Sequence, residues 1–87
     1  MKLTKKERRA ILRAAEMIDN SKQFYCCAAL VVATGDMSYN HHINPLSAKF
    51  RKFFGLENPV QAFPIGFSDR ATEIRVLALL SFLEANK

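Results

Sequence analysis

The chain has 87 residues, 49% apolar and 24% charged, which excludes a disordered segment and gives one small domain, residues 1–87. Its net charge is +5. All of the excess lies in residues 1–13, with six basic side chains and one acid, while the rest holds seven of each. A one-sided excess of this kind points to a face with a role.

Thr4-Lys5-Lys6-Glu7 has the form of a capping box, with Thr at the N-cap and Glu at N3. Ile11, Ala14, Ala15 and Ile18 follow at helical spacing, so a first helix is predicted over 5–19, ending at Asp19-Asn20-Ser21. At about 100° per residue, Ala10, Ile11, Ala14, Ala15, Met17 and Ile18 share one side. Lys5, Lys6, Arg9 and Arg13 fall within about one quadrant of the other.

Ser21 is expected to cap a second helix over 22–34, with Gly35 as its stop. Residues 24–33 form the longest apolar run, ten residues. That is too short for a bilayer, which needs about 20. Periodicity does not separate a buried helix from a buried strand here. Val31-Val32 favours a strand, Ala28-Ala29 and the run length favour a helix, and no partner strand is evident, so helix is preferred. Residues 35–44 read as a loop. Asn44-Pro45 is an N-cap and N1 pair, which predicts a third helix over 45–54 stopped by Gly55.

Residues 55–67 contain two prolines and two glycines among apolar side chains. Val60, Phe63, Ile65 and Phe67 are expected to lie on the core. Ser68 or Asp69 caps a last helix over 69–85, apolar nearly all round through Ile74, Val76, Leu77, Leu79, Leu80, Phe82 and Leu83. Such a helix is central to the fold or shared with another copy. Arg70 is expected to pin the preceding loop by bonding carbonyls of residues 63–67. The fold class is therefore all-α: a compact bundle of about four helices with an irregular apolar loop before the last.

Nothing in the chain assembles an active site. Cys26 and Cys27 are adjacent, so they are poorly placed to bridge each other, and their apolar surroundings oppose a thiolate. His41 and His42 point apart and lack the i, i+4 spacing that puts two imidazoles on one ion. The glycines at 35, 55 and 66 make no phosphate loop. No enzyme, cofactor or metal is expected. Glu7, Arg8, Arg9 and Arg13 break up any signal-peptide core, so the expected location is the cytoplasm.

Three stretches share a pattern: Ile11-Leu12-Arg13-Ala14-Ala15-Glu16, then Cys26-Cys27-Ala28-Ala29-Leu30, then Phe67-Ser68-Asp69-Arg70-Ala71-Thr72 running into Val76-Leu77-Ala78-Leu79-Leu80. Together they resemble small helical proteins of unknown function encoded by tailed phages and bacteria. Those proteins often have Trp-Asn where this chain has Phe67-Ser68. The resemblance implies a helical fold and a phage or mobile-element origin, hence a host-cell cytoplasm.

Two surfaces are candidates for a partner. The first is the basic face of helix one: Lys5, Lys6, Arg9 and Arg13. The second is an aromatic and basic patch around helix three: Tyr39, Lys49, Arg51, Lys52, Phe53 and Phe54, with Tyr25, Tyr39, Phe53 and Phe54 expected to be exposed. The leading expectation is a small accessory protein that occludes a host protein with an acidic surface, a defence or transcription component. The alternatives are nucleic-acid binding through the same basic face, although no aromatic side chain is interleaved there, and a homo-oligomer formed through residues 69–85. No membrane partner is expected.

Overall fold

The computed structural model describes residues 2–40, 42–56 and 63–87. Among them are four helices and no strand, in the order α1 (Lys5–Ser21), α2 (Cys26–Ala33), α3 (Pro45–Phe54) and α4 (Asp69–Ala85). The Cα radius of gyration is 11.5 Å, against about 12 Å for a compact chain of this length.

The helix ends follow from local chemistry. The Thr4 hydroxyl accepts from the Glu7 N–H and the Glu7 carboxylate accepts from the Thr4 N–H, both at 3.0 Å, closing the capping box. The Asn44 side chain accepts from the Ser47 N–H, with Pro45 at N1. Gly55 ends α3 in the left-handed conformation, φ 67°. Ser68 caps α4 through the Ala71 N–H.

The second helix departs from expectation. It begins at Cys26, not 22, and Ser21 is the last residue of α1 rather than a cap. Lys22 takes up a left-handed conformation, φ 61°, and its N–H returns to the Ile18 carbonyl. The chain then runs on to Tyr25, an N-cap with no side-chain hydrogen bond. Burial of Cys26, Cys27, Ala29, Leu30 and Val31 sets the start of α2, where the sequence offers no capping residue.

α4 packs against all three other helices, most extensively against α1, which in turn carries α2. The core joins Ile11, Ala14 and Ile18 of α1, Ala29 and Leu30 of α2, Leu46 and Phe50 of α3, and Leu79 and Phe82 of α4. Phe50 anchors an aromatic cluster, its ring centroid 5.0 Å from Phe54, 5.8 Å from Phe63 and 5.5 Å from Phe82. Leu3 is buried and its N–H bonds the Asn86 carbonyl, which ties the two ends of the described chain together.

Expectations for the segment before α4 hold only in part. Phe63 packs on the core, but Ile65 and Phe67 are 56% and 70% exposed, and Val60 lies outside the described residues. The residue that pins the segment is Arg75, not Arg70. Arg70 is exposed, because at the second position of α4 it lies outside the stripe that faces the core. Arg75 lies on that stripe with Ala71, Ala78 and Leu79 and is 2% exposed. Its Nη1 donates to the Pro64 carbonyl at 2.6 Å, and its Nη2 donates to the Gly66 and Lys22 carbonyls at 3.0 Å each. One guanidinium thus joins α4, its leading segment and the turn after α1. No described helix is long and apolar enough to cross a membrane.

Candidate functional site

α1 exposes Lys5, Lys6, Arg9 and Arg13. Burying Ala10, Ile11, Ala14, Ala15 and Ile18 against the rest of the molecule forces the opposite side outward. None of the four cations pairs with a carboxylate among the described residues, where the ion pairs are Lys22–Asp69, Lys49–Glu7 and Lys87–Glu84. Lys6 to Arg13 spans about 10 Å of helix axis, close to one Debye length at physiological salt. Their potentials therefore add at the surface.

Beside this stripe lies a groove of about 310 Å³. Lys6, Arg9 and Arg13 form one wall, and Ala33 and Thr34 at the end of α2, with Pro45 and Leu46 at the start of α3, form the other. Its accessible aliphatic surface comes from Ala33 and Pro45, with the buried Ala10 and Leu46 beneath. The first turn of α3 brings the positive end of a helix dipole to the same place. Asn44 fixes that junction. It is buried, and its amide donates to the Thr34 hydroxyl at 3.0 Å and to the Asp36 carboxylate at 3.1 Å.

Glu7 also lines the groove, and its carboxylate accepts from Lys49 Nζ at 2.8 Å through both oxygens. Burial pushes its pKa up, but the Lys49 and Thr4 hydrogen bonds outweigh that, and the net displacement is downward. Glu7 is therefore ionised at neutral pH and already partnered.

The helix-three group does not form one surface. Lys49 turns to Glu7 on α1. Arg51 donates to the His42 carbonyl at 3.0 Å. Phe53 is exposed as expected, with one side of its ring on Phe54 and Phe82. Phe54, expected at the surface, is half-buried against Phe50 and Phe63, because the aromatic cluster needs its ring. Tyr25 and Tyr39 are exposed as expected, with Tyr39 lining a separate apolar depression beside Phe24 and Val32. Lys52 is exposed.

Burial governs the cysteines. It pushes the Cys26 thiol up to about 12, and that thiol donates to the Arg75 carbonyl at 3.5 Å. Burial likewise raises Cys27. Both are protonated and shielded at neutral pH, which leaves no thiolate nucleophile. The Asp36 carboxylate is engaged by Ser38 and Asn44. Among the described residues no group of three His, Cys, Asp or Glu side chains is placed to hold a metal ion. His41 lies outside the described residues.

Sequence reasoning located the stripe but not the groove. Ala33, Thr34 and Leu46 reach it only through the packing of three helices, and no local pattern marks them. Arg75 carried a readable signal: it is the one charged residue between Ile74 and Leu83. No family model, curated protein or solved structure matches the chain.

Proposed function

We propose that this protein is a non-enzymatic binding module that docks the basic face of α1 on an acidic protein surface and acts by occlusion. One observation carries the reading: Lys5, Lys6, Arg9 and Arg13 are exposed together on one face with no carboxylate partner among the described residues. Leaving four like charges side by side opposes folding slightly and serves long-range attraction of an anionic partner. The sequence resemblance to phage-encoded helical proteins directs the reading to a host protein of the defence or transcription machinery, met in the host cytoplasm.

Nucleic acid is the second reading, since the same cations would track phosphates. It is disfavoured by the ionised Glu7 beside the stripe and by the absence of an aromatic ring among the described residues that line the groove. A homo-oligomer through α4 has less to offer. Most of the apolar surface of α4 is spent inside the chain, and Leu77 is its one large hydrophobic that is clearly exposed among the described residues.

The test is affinity capture from host extract with the wild type and with Arg9→Glu/Arg13→Glu, followed by reconstitution with the captured protein in purified form. The reading expects the double reversal to lower affinity by about tenfold or more, mainly through a slower on-rate at low salt. Equal capture by both chains would refute it. A mobility shift of duplex or single-stranded DNA at ~50 mM salt, lost on the same reversal, would transfer the face to nucleic acid.

A further inference from the structure

The basic stripe has two unlike flanks. On one, Lys6, Arg9 and Arg13 border the aliphatic groove against α2 and α3. On the other, Lys5, Arg8 and Leu12, with Arg9 shared between the two flanks, border a depression reaching Leu83, Glu84 and Lys87 near the end of α4. We propose that the first flank is the binding site proper and that its occupant is an acidic amphipathic segment of a partner protein. The segment would place one aliphatic side chain on the surface of Ala33 and Pro45 and carboxylates on Arg9 and Arg13. This rests on the reading of α1 as a docking face and goes further by fixing what docks.

Five observations select that occupant. Ala33 and Pro45 give the groove an accessible aliphatic patch, which a phosphodiester backbone would desolvate without gain, while a Leu or Ile side chain gains from burial there. At about 310 Å³ it is at the low end for a ligand pocket, which suits one or two side chains. Arg9 and Arg13 are four residues apart, about 6 Å along the axis, so they match two carboxylates one turn apart on a facing helix. The positive end of α3 lies at the same groove and adds to the attraction for an acid. Glu7, held ionised by Lys49, sets a local repulsion that a continuous phosphate chain would meet and that a segment with spaced acids avoids.

The probe is a fluorescein-labelled amphipathic helical peptide built of Glu and Leu. It is titrated with the whole chain by anisotropy at low salt, beside polyglutamate of equal charge and a labelled single-stranded oligonucleotide. The amphipathic peptide is expected to bind about tenfold more tightly than polyglutamate. Ala33→Phe, which fills the groove, should weaken it by about tenfold, and Arg9→Glu/Arg13→Glu should remove most binding. Pro45→Glu guards against a misfolded Ala33→Phe. It puts a carboxylate at the mouth of the groove at a helix position that favours acids, so the protein should melt as the wild type does while binding falls. If Ala33→Phe and Pro45→Glu change nothing while the arginine reversal does, the groove is overturned and the docking face stands. If the arginine reversal also changes nothing, both fall. Tighter binding of the oligonucleotide than of the peptide would overturn the proposed occupant as well.

Discussion

Arg9 and Arg13 on α1 and Arg75 on α4 are the same side chain in opposite surroundings. The first two are in water with no protein anion among the described residues. The third is sealed in the interior, where its Nη1 and Nη2 donate to three main-chain carbonyls and its Nε–H has no partner among the described residues. A buried guanidinium without a carboxylate is costly, and the three carbonyl bonds offset part of that cost, so Arg75 serves architecture. The α1 arginines contribute little to holding the fold, since exposed charges rarely do. The difference separates a residue that determines shape from residues left for a partner.

The largest expected effect tests the buried side. Arg75→Ala strips three carbonyls of their donor and empties its site, and should cost about 3 kcal/mol. For a domain of this size that lowers the melting temperature by more than about 10 °C. Arg75→Lys keeps the charge but not the planar fork and should lose a large part of the same stability. A melting temperature for Arg75→Ala within a few degrees of wild type would break the contrast.

Glu7 lies between the two regimes. Glu7→Gln keeps an acceptor for the Thr4 N–H but loses the Lys49 ion pair, and should cost about 1 kcal/mol by thermal or urea unfolding. The pH dependence follows from the lowered pKa. The unfolded chain binds the proton more readily, so the Glu7 contribution is present above its ordinary value of 4.5 and disappears as pH falls through the lower folded value. Asp36 and Asp69, lowered by hydrogen bonds from Ser38 and Lys22 respectively, act in the same direction. Acid titration followed by circular dichroism should therefore show wild-type stability falling below about pH 4.5, and Glu7→Gln should flatten that fall.

The smallest effect on folding is expected from Arg9→Glu/Arg13→Glu, within about 0.5 kcal/mol of wild type, against the tenfold or greater loss of binding set out above. A large stability change in that variant would mean that the two arginines do structural work after all, and the contrast with Arg75 would narrow.

How much was legible in the sequence depended on where the deciding contacts lie. α3 and α4 appeared at their observed limits because Asn44-Pro45, Gly55 and Ser68-Asp69 are local stop and start signals. The start of α2 was misplaced because Ser21 has the chemistry of a cap, while the chain instead turns at Lys22, whose carbonyl is held by Arg75 from 53 residues away. Arg70 is the nearer arginine to the loop in sequence, yet the pin is Arg75. Helical phase decided otherwise, since residue 75, with 71, 78 and 79, faces inward. Ile65 and Phe67 were expected inside on their apolarity alone. The interior was already filled by Phe50, Phe54, Phe63 and Phe82, and an apolar side chain is not obliged to be buried.

The sequence by itself determined the all-helical class, the capping of three of the four helices and the cationic outer face of α1. Each follows from periodicity or hydrogen bonds within a few residues. Only the tertiary structure decided that Arg75 is the interior clamp, that Lys49 belongs to Glu7, and that the cationic face borders an aliphatic groove. Those features join residues tens of positions apart, and their partners are chosen by helix packing, which leaves no local trace in the order of the amino acids.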